Sequence, residues 1–253
     1  LKPLFITAFS LLIPITANAL STPLESEPVH KQTLLEITES LKLGHYNRIK
    51  LNDTLSSQIF DQYLKDLDPS RSYFYQSDID DFEKYRLTID DNIKKGDLND
   101  AYFIFNRFQK RIEDRLKFTI EELEQGKQFD FSIDESLDTD RESAPWISNE
   151  EEMNALWDRR LKSALLNLKL ADKDDDEARK VLIKRYKNQL KRALQVNSED
   201  VFQTFANAFT KQYDPHTQYF SPRKSENFKI NMSLSLEGIG AVLKSENEFT
   251  QIV

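Results

Sequence analysis

The sequence predicts a mainly α-helical protein with a short β segment near its C-terminal end. Only 5 glycines and 8 prolines occur among 253 residues, whereas folds rich in tight turns or phosphate loops use glycine freely. Apolar residues recur every three to four positions through most of the chain, which is the period of one helix face. Residues 233–243 depart from that period, because leucines there alternate with small polar residues and so predict a strand.

The composition excludes several classes of function. Lys and Arg total 35 against 43 Asp and Glu, a net charge of -8. Nucleic acids and anionic membranes attract concentrated positive charge, so we expect neither as a partner. The chain has no cysteine, which removes disulfides, thiolate nucleophiles and cysteine-based metal sites.

The N-terminus has the pattern of a secretory signal. Lys2 precedes the apolar run of residues 4–13, and Ala17-Asn18-Ala19 follows. A basic start, a short apolar core and an Ala-x-Ala ending predict a signal peptide over residues 1–19, cleaved after Ala19. An uncleaved anchor is the alternative, but the run is too short to span a bilayer comfortably. We therefore expect a periplasmic protein with no stable membrane span.

Residues 20–225 are predicted to form a helical N-terminal domain that begins near His30. One apolar stripe runs from Leu55 to Leu67 and ends before Pro69, because proline disfavours the helical conformation of the residue before it. Ser77 or Asp78 is then expected to cap a single helix that runs through Ile93 and ends at Gly96.

The longest apolar stripe covers residues 98–123, starts after Asp97 or at Asn99, and is closed by Gly126. It predicts a helix of roughly 40 Å at about 1.5 Å per residue. Residues 127–148 lose the period but keep aromatic residues, so they predict an ordered loop.

Three further helices are expected after that loop. Asn149 should cap the first. The acidic run Asp172–Asp176 should lead into the second, over residues 178–196, and it lacks the ligand spacing of a calcium loop. Ser198–Asp200 should begin the third. A short helix near residues 226–229 is then expected to lead to the strand.

Two turns in the helical region repeat one pattern. Residues 67–74 and 213–220 each contain Asp-Pro, three residues, and then Tyr-Phe. Two copies of the pattern are too few to indicate a solenoid, which needs several regularly spaced repeats. The physical interpretation is that Asp caps the turn, Pro stops the helix and the aromatic pair docks into the core.

No complete active site is evident. The three histidines are His30, His45 and His216, and they form no His-x-x-x-His pair, so neither a metal site nor a cofactor is expected. A triad could be drawn with His216 and Asp214, but residues two apart do not readily hold that geometry, and no Gly-x-Ser-x-Gly elbow exists. We expect His216 to be a structural hydrogen-bonding residue.

The segment Gly238-Ile239-Gly240-Ala241 is the strongest candidate binding element. Backbone N–H groups in such a turn can form a concave nest for an anion, including the carboxylate at the end of a peptide. An ordinary hairpin turn is the alternative. The segment also looks like the Gly-apolar-Gly-apolar carboxylate loop of PDZ domains.

Several stretches together resemble the N-terminal half of the tail-specific proteases, also called carboxy-terminal processing peptidases. The two most specific matches are residues 214–223 (Asp-Pro-His-Thr-Gln-Tyr-Phe-Ser-Pro-Arg) and residues 232–243. Weaker matches, in the family's order, are residues 59–64, 144–146, 154–158, 185–187 and 197–202.

This resemblance implies a helical domain followed by a PDZ domain and a protease core with a Ser/Lys catalytic pair. Residues 226–253 would be the linker and the first strands of a truncated PDZ domain, so no catalytic residue is expected in this chain. The partners implied are protein substrates with apolar C-terminal tails, together with a possible envelope adaptor protein. The implied tail-binding residues are Leu236, Gly238, Ile239, Gly240 and Ala241.

A second interpretation is a non-catalytic helical envelope module that acts as an adaptor or chaperone. The two are separated by whether the reading frame continues past Val253. Residues 250–253 resemble an unfinished apolar strand, and because a natural terminus rarely leaves half a sheet unpaired, we expect a truncated protease.

Overall fold

The computed structural model describes residues 22–233, 243–246 and 249–252. The predicted signal peptide, including Ala19, lies outside these ranges. The mainly helical fold class is confirmed. The helices are α1 (Pro28–Gly44), α2 (Asp53–Leu67), α3 (Gln76–Phe82), α4 (Ile89–Lys95), α5 (Asn99–Glu124), α6 (Glu150–Leu170), α7 (Asp175–Leu194), α8 (Ser198–Thr210) and α9 (Pro222–Met232), with a 3-10 turn at Glu83–Tyr85.

Helix α5 connects two hydrophobic cores. Its N-terminal half, including Tyr102 and Phe105, packs with α1, α2, α3, α4 and α8. Its C-terminal half, including Leu116 and Leu123, packs with α6 and α7. At about 1.5 Å per residue its 26 residues span roughly 39 Å, which confirms the predicted long helix.

The turn after α2 is built on a buried carboxylate. Asp68 is 1% exposed and accepts the backbone N–H groups of Ser72, Tyr73 and Phe74 at 2.9–3.0 Å. Phe74 is completely buried. The predicted roles of Asp as cap and of the aromatic residue as anchor are therefore confirmed at this turn.

The single helix predicted from Ser77 or Asp78 through Ile93 is wrong. The chain forms α3 and α4 instead, separated at residues 83–88, and Tyr75 is the residue before the first turn of α3. The hydroxyl of Ser56 donates to the carbonyl of Arg86 at 2.7 Å and thereby holds the break in place. Gly96 ends α4 as predicted, with a φ of 68°.

The starts of α6, α7 and α8 follow local capping signals. Asn149, Asp174 and Asn197 accept the N–H groups of Glu152, Glu177 and Asp200, respectively. The cap of α8 is thus Asn197, one residue before the predicted start. The predicted short helix at 226–229 is the longer α9, and the predicted boundary at residues 225/226 falls within it.

The loop over residues 127–148 is ordered by its C-terminal end. Ile147 is buried, and its carbonyl accepts the N–H of Gln76 at 2.8 Å. The ring of Trp146 lies 6.0 Å from that of Phe74, edge to face. The loop therefore contacts the start of α3, the first core through Trp146 and the second core through Ile147.

Two short strands follow α9. Strand β1 (Leu243–Glu246) pairs antiparallel with β2 (Phe249–Ile252), with Leu243 opposite Ile252. The predicted strand residues 234–236 and the Gly-Ile-Gly turn lie outside the described residues. Two four-residue strands do not by themselves define a domain, so the PDZ assignment stays a prediction.

Candidate functional site

The predicted tail-binding residues (Leu236, Gly238, Ile239, Gly240 and Ala241) all lie outside the described residues. The part of the structure that leads toward them is the segment of residues 213–221 between α8 and α9, which we call the junction. It contains the Asp-Pro-His segment that is part of the strongest sequence match. Its contacts decide how the helical domain holds the chain before the predicted loop.

The first half of the junction is bonded to the loop after α1. The Asp214 carboxylate accepts the hydroxyl of Tyr46 and the N–H of His216, and these two bonds lower the pKa of Asp214. The side-chain amide of Asn47 donates to the carbonyl of Tyr213 at 3.0 Å. Five residues from two distant segments therefore close the turn.

The second half of the junction is bonded to α8 itself. The N–H of Tyr219 donates to Asn207 Oδ1 at 2.7 Å, and its hydroxyl donates to Glu199 Oε1 at 2.9 Å. Its ring lies 5.1 Å from that of Phe202, edge to face. Burial and the contact with Glu199 both raise the pKa of the Tyr219 hydroxyl, so this hydroxyl remains a donor at neutral pH.

Glu199 also anchors His30 of α1. His30 is 1% exposed, and its Nε2 lies 3.1 Å from Glu199 Oε2. Its Nδ1 accepts the N–H of Glu27 at 3.0 Å, and the ring stacks on Phe202. These contacts give His30 a structural position that links α1 to α8.

The other two histidines lie in or against the junction. The Nδ1 of His45 lies 3.0 Å from the N–H of Asn47, and its Nε2 lies 3.1 Å from Thr217 Oγ1. These contacts tie the loop after α1 to the junction. His216 is exposed, and its backbone N–H, not its ring, makes the bond to Asp214. The expected structural role of His216 therefore rests on its backbone.

Neither metal binding nor membrane spanning is supported in the part of the chain that the structure describes. No group of three or more His, Asp or Glu side chains in residues 22–233, 243–246 and 249–252 could hold a metal ion. Across the same ranges, every helix falls short of the combined length and apolar character that crossing a membrane demands.

Two cavities on the surface of the described residues reach about 400 and 780 Å³. A cleft of about 400 Å³ lies beside the end of α2, and four of its charged groups are paired: Arg86 with Asp61 at 2.8 Å, and Lys65 with Glu142.

A larger groove of about 780 Å³ lies between α1 and residues 49–51. We call it the α1 groove. Sequence reasoning missed it because its apolar residues come from separate segments that share no motif. Its lining is Leu35, Thr38, Glu39, Lys42, Ile49, Lys50, Leu51, Lys94 and Tyr213.

Comparison with known proteins places the chain in a family context. A family model described as the tail specific protease N-terminal domain matches residues 37–223. The tail-specific protease of Haemophilus influenzae is 38% identical over 244 residues, which is 96% of this chain and 35% of that protein. The chain thus spans about a third of the length of the curated relative it matches.

Proposed function

This chain belongs to the tail-specific protease family, and on that premise we propose that it is the N-terminal portion of a periplasmic tail-specific serine endopeptidase. The observation that carries the proposal is the match of residues 37–223, which is most of the helical domain, to the N-terminal domain of these proteases. The family resemblance was predicted from the sequence and is confirmed.

The proposed reaction is cleavage of proteins that end in apolar C-terminal tails. A Ser/Lys pair beyond Val253 would cut the polypeptide, and the present chain would be inactive alone.

The predicted tail loop would recognise the end of the substrate. The N–H groups of Gly238, Ile239, Gly240 and Ala241 would hold the carboxylate, while Leu236 and Ile239 would line an apolar pocket for the last side chain. The strand after the loop would pair with the tail.

The helical domain would act as a rigid support for that loop. The junction is bonded both to the loop after α1, through Asp214, and to α8, through Tyr219. Helix α9 then leads to the predicted loop. The predicted signal peptide over residues 1–19 would deliver the protein to the periplasm.

The proposal is tested by extending the reading frame past Val253. The extended protein and residues 20–253 are assayed on a protein with an apolar C-terminal tail and on the same protein with a polar tail. We expect the extended form to cut only the apolar-tailed protein and the short form to cut neither. If the frame stops at Val253 and the chain still binds an envelope protein, the adaptor or chaperone interpretation replaces the protease.

The tail loop is tested with Gly240→Asp in the extended protein. An added carboxylate in the nest would repel the substrate carboxylate and fill its space, so we expect binding of an apolar-tailed peptide to be lost. Gly44→Asp is the matched control, because a Cβ at Gly44 would meet nothing within 4 Å. Unchanged affinity in the Gly240→Asp variant would contradict the assignment.

A further inference from the structure

The α1 groove has the size and surface of a binding site for an apolar ligand. Its volume of about 780 Å³ falls within the range of roughly 300–1,000 Å³ typical of ligand pockets. Leu35 of α1 and Ile49 and Leu51 of the following segment are half-buried along it, and the buried ring of Tyr213 adjoins them. Its apolar side chains therefore keep exposed surface that a ligand could cover.

The two hydroxyl groups among the residues that line the groove already have hydrogen-bond partners within the protein. The Thr38 hydroxyl donates to the carbonyl of Leu34 at 2.7 Å. The Tyr213 hydroxyl reaches the carbonyl of Ile49 at 3.5 Å. Apolar groups would therefore gain more than polar groups by entering the groove, since a polar group would lose water without gaining a partner.

The rim carries three lysines and one carboxylate, Glu39, and in the described part of the chain one of the lysines has no ion pair. Lys94 bonds to Asp90 at 2.6 Å and to Asp91 at 3.1 Å. Lys42 lies 3.7 Å from Glu39. In the described part of the chain, Lys50 has no carboxylate within ion-pair distance, although the whole protein carries a net charge of -8.

We propose that the α1 groove binds the C-terminal residues of a polypeptide that ends in apolar side chains, with its α-carboxylate on Lys50. Apolar side chains would cover Leu35, Ile49 and Leu51, and the single carboxylate would pair with the single uncommitted ammonium. The choice of a protein tail rests on the proposed function. The groove is a second tail site, separate from the predicted loop at residues 236–241.

This placement would bring a substrate next to the junction. Tyr213 lines the groove and is also the first residue of the junction, where its carbonyl accepts the amide of Asn47. A tail held in the groove would therefore lie beside the first residue of the junction, from which the chain runs on to α9.

The test uses the purified chain and two photo-reactive peptides of the same apolar sequence, one with a free C-terminal carboxylate and one with a C-terminal amide. Labelled residues are mapped by mass spectrometry. We expect the acid to label residues 35–51 about tenfold more than the amide, which corresponds to about 1.4 kcal/mol. Lys50→Met should remove this preference, because it keeps the apolar stem but loses the charge. Lys180→Glu, at an exposed lysine of α7, should leave it unchanged.

Several results would overturn the proposal. Equal labelling by the acid and the amide, or no labelling of residues 35–51, would show that the groove does not select tails. Labelling that Gly240→Asp abolishes but Lys50→Met preserves would assign tail binding to the predicted loop alone, and the proposed protease function would stand. Groove labelling that persists while the extended protein cuts no apolar-tailed protein would support the groove and contradict the protease. A change in oligomeric state that Lys50→Glu abolishes would assign the groove to a second copy of the chain.

Discussion

The imidazole of His30 and the carboxylate of Glu199 meet at 3.1 Å, although 169 residues separate them in the chain. The same carboxylate accepts the hydroxyl of Tyr219 at 2.9 Å. One acidic side chain of α8 thus holds α1 on one side and the junction on the other. Both aromatic partners pack on Phe202, so the network is seated on the first core.

His30→Leu should destabilise the protein by about 2–3 kcal/mol, because the variant leaves the Glu27 N–H without its acceptor and Glu199 without one donor. The measurement is the free energy of unfolding in urea at pH 7. His216→Leu is the control, since the exposed ring of His216 makes no hydrogen bond in the described structure, and its stability should be unchanged. Equal losses in the two variants would show that the His30 contacts are not important.

The two Asp-Pro turns should differ strongly in energy despite their similar sequences. Asp68 is buried and accepts three N–H groups, so Asp68→Asn should cost about 2–4 kcal/mol by placing an NH₂ group against N–H donors. Asp214 is bonded at the surface to Tyr46 and His216, and Asp214→Asn should change the urea midpoint little. A larger loss at Asp214 would contradict this ranking.

The Asp78 carboxylate should make stability depend on pH in the acid range. Burial alone would raise the pKa of Asp78, but hydrogen bonds from Arg111, the Tyr75 N–H and Arg107 outweigh it and lower the pKa. A carboxyl whose pKa is lower in the folded state contributes stability above its unfolded pKa of about 3.9, and loses it as the pH falls through the folded value.

Asp78→Asn tests this dependence. We expect a loss of about 2–3 kcal/mol at pH 7, below the usual cost of breaking a buried pair, because Arg107 and Arg111 are about 30% exposed. The difference in free energy of unfolding between the original protein and Asp78→Asn, measured in urea, should decrease as the pH falls below about 4. The free energy of unfolding of Asp80→Asn, at an exposed position of the same helix, should change with pH in parallel with that of the original protein. A gap that is constant from pH 7 to pH 3 would exclude the carboxylate as its cause.

Local signals predicted the helix ends, and long-range contacts explain the errors. Asn149 and Gly96 act within one turn of their own helix, so the sequence displays them. The break between α3 and α4 is held by Ser56, which bonds to Arg86, 30 residues away. The local signal there is weaker: Thr88 precedes α4 and Asp90 and Asp91 lie in its first turn, but Thr88 makes no side-chain capping bond.

The candidate site also has a part that local sequence signals predict and a part that depends on long-range packing. The family resemblance rests on contiguous sequence motifs such as residues 214–223, which can be found in the sequence alone. The α1 groove is formed by Leu35, Lys50 and Tyr213, which share neither a period nor a motif. Only packing brings these residues together, so the groove could not be predicted.

Two glycines with left-handed backbones allow the steric part of a substitution to be separated from the conformational part. Gly96 has a φ of 68° and Gly126 a φ of 80°. A Cβ at Gly96 would lie 2.8 Å from Lys31 Cγ and 3.2 Å from the Lys31 carbonyl oxygen, whereas a Cβ at Gly126 would meet nothing within 4 Å. Alanine in the left-handed region costs about 1–2 kcal/mol at either site.

Gly96→Ala should therefore cost more than Gly126→Ala, by about 1–2 kcal/mol in urea unfolding. The Lys31 stem can swing aside, but its carbonyl belongs to α1 and is fixed by the helix. Gly96→Ala should thus push α4 away from α1, and amide hydrogen exchange should increase in both helices while α6 and α7 keep their protection. Equal costs for the two substitutions, with unchanged exchange in α1, would show that the contact between Gly96 and α1 is not tight.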